Sequence, residues 1–541
     1  MDGFLGEEIF TNYCYNKTMN NPSTLFQQRL TALNAPAADS ILQGIKRGVE
    51  KESLRITPDG YLATTPHPYA LGSNLTHPNI TTDYSEALIE LITPPVDNAE
   101  EVIDWLLDLH TYTYQHLDQE LLWVTSMPCT LTREADIPIA EYGRSNLGQM
   151  KYIYRRGLDH RYGKAMQVIA GIHVNFSFPE NFWIYYQQLL DDKQPLQDFI
   201  NQQYFGMIRN FLRYSWLMIA LFGASPTLCK SFLRQSSSEL QVLNGGTPYA
   251  PEGTSLRMSD LGYQNNRQHQ FTVSRNSLEE YVHDLGHACA TIEPDYIKYG
   301  SVAEGKLDQL NANILQIEAE YYSPIRPKRI AKERPLSALS KYGVEYIEVR
   351  VVDLDPYEPV GINAHQIRFV ESFLLMCLLQ PSAPLTCEEQ TENKDNLRAA
   401  VYHGRNMDTL LHEKGQPKRF QDWGLELSNQ IQLCAEVLDK HYDSHLYQQA
   451  VTSMQEKLLH PELLSSNRMI RDMSEYHDKA FLKFAHHWSQ EHRDFFLNRY
   501  LSTKRRTELE QLAKESHEKQ KQIEAADTMS LAEYVKRYLE S

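Results

Sequence analysis

Two glutamates that a strand would place on one face are the first residues in this chain whose spacing suggests chemistry. The run Val49-Glu50-Lys51-Glu52-Ser53-Leu54-Arg55-Ile56 reads as a strand, so Glu50 and Glu52, two apart, project together. Adjacent carboxylates repel, and they become acceptable when exposed, when they share a proton, or when a divalent cation binds between them. A second acidic stretch follows Asp83, and its strand-like run Glu86 to Thr93 is expected to align Glu86 with Glu90 among apolar neighbours. A carboxylate in such company must be exposed, paired with a cation or bound to metal. Within Gly171 to Ser177, alternation sets Ile172, Val174 and Phe176 against a polar row of His173, Asn175 and Ser177. Within Val344 to Asp353 it aligns Tyr346, Glu348 and Arg350 opposite Glu345, Ile347 and Val349.

Each motif alone also fits a plain structural role. Glu50 and Glu52 fit a solvated strand edge, His173 a hydrogen-bonded core residue, and Glu348 with Arg350 an ordinary ion pair. Together they describe a polar sheet floor on which Glu50, Glu52, Asp83, Glu90 and Glu348 gather negative charge that only cations can offset. Hard oxygen ligands with one imidazole suit Mg²⁺ or Mn²⁺ rather than zinc, and about two or three Mg²⁺ ions would balance the floor. Clustered Mg²⁺ bridges substrate phosphates, which implies a nucleoside triphosphate. The chain nevertheless has neither a Gly-x-x-x-x-Gly-Lys-Ser/Thr loop nor a Gly-x-Gly-x-x-Gly turn. The runs Leu256 to Tyr263 and Ile317 to Arg329 supply cations that suit carboxylate or phosphate, or plain surface ion pairs.

These side chains need a sheet to hold them. Strand-like runs over residues 49–56, Glu86 to Thr93, Gln167 to Phe178 and Val344 to Val352 are separated by helical stretches at 23–48, 97–120, 183–222 and 277–292. Interleaved strands and helices would suit a parallel doubly wound sheet, but the polar–apolar alternation favours a sheet with one covered and one open face, hence α+β. Residues 381–422, with Pro381, Pro384 and Pro417, read as a loop-rich connection. Residues 423–541 read as mainly helical, with a solvated helical face from Lys504 to Glu524. Residues 1–25 read as an N-terminal extension, and 26–541 as one catalytic domain.

Composition narrows the class. The chain has 541 residues, 42% hydrophobic and 23% charged, and carries a net charge of −17 from 70 acidic and 53 basic residues. It is globular, and its field repels nucleic acid and anionic membranes. Its cysteines, at 14, 129, 229, 289, 377, 387 and 434, form no Cys-x-x-Cys and suit a reducing compartment. Apolar runs such as Trp216 to Phe222 and Phe373 to Leu379 fall short of the roughly 20 residues of a membrane span. No basic start precedes an apolar run at the N-terminus, so a cytoplasmic protein is expected.

The segments GIKRGVEKESLR, LTHPNITTDYSEALIELITP, AEYGRSNLGQMKYIYRRGL, AGIHVNFS, LFGASP, TSLRMSDLGY, SPIRPKR and EYIEVRVVD, in this order, resemble the proteobacterial type of glutamate–cysteine ligase. That family relates to the glutamine synthetase superfamily. The resemblance implies a curved, mostly antiparallel sheet with an open acidic face, surrounded by helices. It implies that ATP phosphorylates the side-chain carboxylate of L-glutamate and that the amino group of L-cysteine displaces phosphate, the first step of glutathione biosynthesis. It carries metal ligation to Glu50, Glu52, Asp83, Glu90, His173 and Glu348, and the holding of glutamate or phosphate oxygens to Arg257, Arg350 and Arg155. It carries the cysteine pocket to Tyr154, Tyr263 and Tyr322. Tyr84 stands where relatives often have Phe, and residues 385–420 match weakly. A monomer is expected, and the alternative is a related ligase joining glutamate to a different amine.

Overall fold

The computed structural model describes residues 22–233, 240–243, 246–261 and 271–541. Seven strands form the main sheet: β1 (Lys46–Ile56), β2 (Ile80–Thr82), β3 (Leu88–Ile92), β4 (Leu121–Leu122), β5 (Ile172–Ser177), and, after a small hairpin of β6 (Gln241–Leu243) and β7 (Thr247–Tyr249), β8 (Ile325–Lys328) and β9 (Tyr346–Val352). The order is β2-β3-β1-β5-β9-β8, with β4 against the end of β1, and every pairing is antiparallel. The chain is thus mixed α+β, as the alternation implied, with an antiparallel sheet, as the family resemblance implied.

Register does the first part of the site's work. Glu52 lies opposite Glu90, Glu50 opposite His173, and Asn175 opposite Glu348. Between β5 and β9 the register slips, Ile172 pairing with Val352 but Val174 with Val349, so β9 carries one extra residue beside His173. Such a bulge re-aims neighbouring side chains, and Arg350 sits within it.

The opposite face of β1 carries Arg47, Lys51 and Ser53, all buried beneath helices. Buried charge needs partners. Arg47 meets Glu371 of helix Ala364–Leu379 in a two-pronged pair (2.6 and 2.9 Å), and Tyr447 donates its hydroxyl to the same carboxylate at 2.7 Å. Removing either partner of such a pair costs about 3–5 kcal/mol. Lys51 Nζ donates to Ser53 Oγ at 2.6 Å and lies 2.8 Å from His110 Nε2 on helix Ala99–Tyr114. Its Nδ1 partner, the carbonyl of Leu106 at 2.7 Å, makes that imidazole nitrogen the donor, so Nε2 accepts from Lys51. The long helix Leu196–Phe222 packs on β8 and β9, and with helix Ala364–Leu379 builds the apolar core, Phe211 meeting Phe373 edge-on at 5.7 Å.

Several boundaries differ from expectation. The first helix spans Pro22–Leu33, beginning within the stretch assigned to an extension and stopping before Pro36; turns fill the rest of the way to β1. The helical run 183–222 is two helices, Glu180–Leu189 and Leu196–Phe222, parted at Asp191 (φ 50°) and Pro195. The segment 381–422 is not loop-rich: Thr386 caps a 17-residue helix, Cys387–His403, and β10 (Leu410–Glu413) pairs with β11 (Gln416–Arg419) across Lys414-Gly415, both at positive φ. Its prolines lie before the helix and inside the short hairpin, where they break nothing. Downstream, helices fill most of the chain, and Thr503–Ala526 is one helix that buries only Leu509, Ala513 and Ser516. No helix among the described residues is long and apolar enough to cross a membrane, and the described cysteines are free thiols.

Candidate active site

The open face of the sheet floors a cavity of about 420 Å³. Glu50, Glu52, Asp83, Glu90, His173 and Glu348 all line it, with Arg350, Lys328 and Arg326 from β9 and β8. Glu50, Glu90 and His173 each offer a ligand atom, and the three atoms lie within 4.8 Å of one another. Glu50 Oε1 accepts from Asn175 Nδ2 at 2.9 Å, while its Oε2 is 3.4 Å from His173 Nδ1. Glu52 Oε2 accepts from the backbone N–H of Gly171 at 2.7 Å. Glu348 Oε1 accepts from Arg350 Nη1 at 3.0 Å, with Lys328 Nζ at 3.5 Å, so the ion pair that strand spacing allowed is present.

Crowding sets the protonation of the floor. Burial, then the charges of Glu50, Asp83 and Glu52, pushes the Glu90 carboxyl well above the usual range. Burial and the Asp83 carboxylate push Glu52 up to about 8. Burial also raises Glu348, but Arg350, Lys328 and His173 outweigh it and hold the group well below the usual carboxylate range. Burial and the Arg350 charge depress His173. Among the described residues Glu90 itself forms no ion pair, and beside it Arg155 Nη2 lies 3.9 Å from Asp83 Oδ1.

The facing wall is helix Asn146–Tyr162, capped by Ser145, whose side chain accepts from Gly148 N at 3.1 Å. Lys151, Tyr154, Arg155, Leu158 and Tyr162 line the cavity at the helical spacing that makes one face. Arg155 Nε donates to the Asp83 carbonyl at 2.6 Å and its ring-side face lies over Tyr142, 4.6 Å from the centroid. Behind this wall Glu320 accepts from Arg161 (3.0 Å) and Tyr162 (2.7 Å), and Gln316 reaches the Tyr154 carbonyl at 3.2 Å. That network ties the helix to the 310–322 segment.

The family model described as glutamate-cysteine ligase matches residues 30–400. The glutamate–cysteine ligase of Alcanivorax borkumensis is 50% identical over 519 residues, which cover 95% of this chain and 99% of the relative. This chain belongs to the glutamate–cysteine ligase family. A Janthinobacterium member is 44% identical over 95% of this chain and 98% of its own length. A crystal structure of the Francisella tularensis glutamate–cysteine ligase in complex with AMP superposes with a TM-score of 0.86 at 37% identity, over 92% of this chain and 97% of that one. A bifunctional glutathione synthetase from Pasteurella multocida aligns at 25% identity with a TM-score of 0.68, covering 88% of this chain and 55% of that one.

Of the residues that the family resemblance singled out, the five acids and His173, Arg155, Arg350, Tyr154 and Tyr322 converge on one cavity. Arg257 lies outside the described lining: it is buried, donates Nη2 to the Arg350 carbonyl at 2.9 Å and holds Nη1 3.6 Å from Asp353. Tyr263 lies outside the described residues. Glu86 does not join Glu90. A turn closed by Leu88 N to Ser85 O (2.9 Å) precedes β3, and the Glu86 carboxylate accepts from the backbone of His67 (2.8 Å) and Glu141 (2.9 Å) instead. Sequence reasoning missed Lys151, Glu320 and Tyr538. Lys151 was legible as the residue one helical turn before Arg155; Tyr538 carried no such signal.

Proposed function

We propose that this chain catalyses the ATP-dependent joining of the γ-carboxylate of L-glutamate to the amino group of L-cysteine, through a γ-glutamyl phosphate, as the cytoplasmic first step of glutathione biosynthesis. The observation that carries the reading is the acidic floor itself, on a chain whose family is established. Two buried atoms there, His173 Nε2 and Glu348 Oε2, have no hydrogen-bond partner, which suits ligands waiting for a cation. In this reading Glu50, Glu52, Asp83, Glu90, His173 and Glu348 hold two or three Mg²⁺, and the fold is that of the glutamine synthetase superfamily. Bound Mg²⁺ would bridge phosphate oxygens and offset their charge.

The remaining residues bind and orient. Carboxylate is a poor electrophile, and phosphoryl transfer between two anions depends on positioning and charge more than on covalent help. Arg350, Lys328 and Arg326 line the cavity beside the acids and suit the oxygens of the transferring phosphate and of glutamate. Arg155, anchored on the Asp83 carbonyl, presents charge from the helix wall. Arg257 would act by holding the Arg350 backbone rather than by touching substrate. Tyr154 and Tyr322 line the pocket assigned to cysteine. In a coupled assay, ADP release should require L-glutamate, L-cysteine and Mg²⁺ together. Release that is unchanged without cysteine refutes the ligase reading, and a panel of amines tests the acceptor.

A further inference from the structure

Helix Leu531–Glu540 has an apolar stripe of Leu531, Tyr534, Val535 and Tyr538 at helical spacing, with Glu533, Lys536, Arg537 and Glu540 facing water. The stripe does not pack into the main core. It joins a second apolar cluster built on Met150, Ile153, Val302 and Leu310, and Tyr154 packs against both clusters. Both ends of this element are pinned. Asn146 donates its N–H to Asp527 (2.5 Å) and its side chain to the Met529 carbonyl (3.0 Å) at one end; Arg334 donates to the Leu539 carbonyl (3.0 Å) at the other. Tyr538 thereby reaches the active-site cavity and forms part of its lining, beside Leu147, Met150, Leu310 and Ile317.

We infer that Tyr538 is a specificity-determining residue: it closes the apolar lobe that receives the side chain of the acceptor amino acid and sets how long that side chain can be. The inference rests on the ligase reading. Its geometry favours the acceptor over the nucleobase. The lobe adjoins Tyr154, next in sequence to Arg155, whose guanidinium holds the Asp83 carbonyl at the edge of the acidic floor. An attacking amine must lie about 3–3.5 Å from the acyl carbon, so its side chain sits one or two bonds from the reacting end. The base of a nucleotide lies the full length of the triphosphate and ribose away.

The test compares kcat/KM for L-cysteine with that for amino acids of longer side chain, such as L-homocysteine and L-norvaline, in the full chain carrying Tyr538→Ala or Tyr538→Trp. A ratio of kcat/KM values does not depend on the fraction of protein that is folded, so a destabilised variant still reports. Pocket contacts of one or two methylenes discriminate about 10-fold or more. Tyr538→Ala should move the ratio by about that factor toward the longer acceptors, Tyr538→Trp should move it the other way, and KM for ATP and for L-glutamate should stay within about 2-fold. An unchanged ratio in both variants overturns the inference while leaving cysteine-dependent turnover, and hence the ligase reading, intact. A shift in KM for ATP with the acceptor ratio unchanged also overturns it, by assigning the lobe to the nucleotide. Wild-type protein that uses no amine at all overturns both.

Discussion

Titrating Mg²⁺ into the nucleotide-free protein at pH 7 should release protons. Glu52 titrates near 8 in the folded chain against an ordinary 4.5, and Glu90 lies well above the same value, because both are buried among carboxylates. At neutral pH Glu52 is mostly protonated without a cation, and binding metal requires it ionised. The expected release is about one proton from Glu52, and the upward shift of Glu90 works in the same direction. Calorimetric titrations in buffers of different ionisation enthalpy give that number directly. The release should shrink above pH 8, and Glu52→Gln should remove about one proton from it. Stability provides the cross-check. Between 4.5 and 8 the metal-free folded state carries a proton on Glu52 that the unfolded chain lacks. Stability therefore falls as pH rises through that window, by up to about 1.4 kcal/mol per pH unit, and saturating Mg²⁺ should abolish the slope. Binding without proton release at pH 7, or equal release from Glu52→Gln, would refute the reasoning.

Other perturbations give separate handles. Gly171→Ala would put a Cβ 2.0 Å from Arg257 Nη2 and 2.6 Å from its Cζ, forcing the guanidinium off the Arg350 carbonyl, so kcat/KM should fall by about 100-fold with the circular dichroism spectrum unchanged. Glu348→Ala leaves Arg350 and Lys328 without their carboxylate and should lower Mg²⁺-dependent turnover at least about 100-fold; near-wild-type activity would exclude it as a ligand. His77 Nδ1 accepts from the N–H groups of Asn79 (3.0 Å) and Ile80 (2.9 Å), and burial pushes its pKa down to about 4 from 6.5. Because the unfolded chain binds the proton first, stability is full above 6.5 and is lost as pH falls toward 4, by roughly 3 kcal/mol, and His77→Asn, which retains an acceptor, should flatten that part of a urea-denaturation series.

The active-site floor was legible because strand alternation is local. Two-residue spacing put Glu50 with Glu52 and aligned Glu348 with Arg350, and register then joined strands that lie far apart in sequence. Glu86 misled because a turn, not a strand, precedes Leu88, and the alternation rule fails where pairing stops. The bulge beside Arg350 and the burial of Lys51 arise from tertiary pairing that no single-strand pattern encodes. The segment at 381–422 was misread because its prolines suggested loop, while Thr386 supplied a capping signal that outweighed them. Tyr538 was invisible for a different reason: its helix docks nearly 400 residues from the wall it completes, and amphipathic spacing says that a face is covered without saying by what.

The central claim is that the glutamate side chain is activated as an acyl phosphate before the amine attacks. L-Glutamate labelled with oxygen-18 in the γ-carboxylate, turned over with ATP and L-cysteine, tests it most directly through the mass of the inorganic phosphate released. The carboxylate oxygen that attacks phosphorus departs with it when the amide bond forms, so each turnover should transfer one labelled oxygen to phosphate. Phosphate free of label, with γ-glutamylcysteine still formed, would contradict the account.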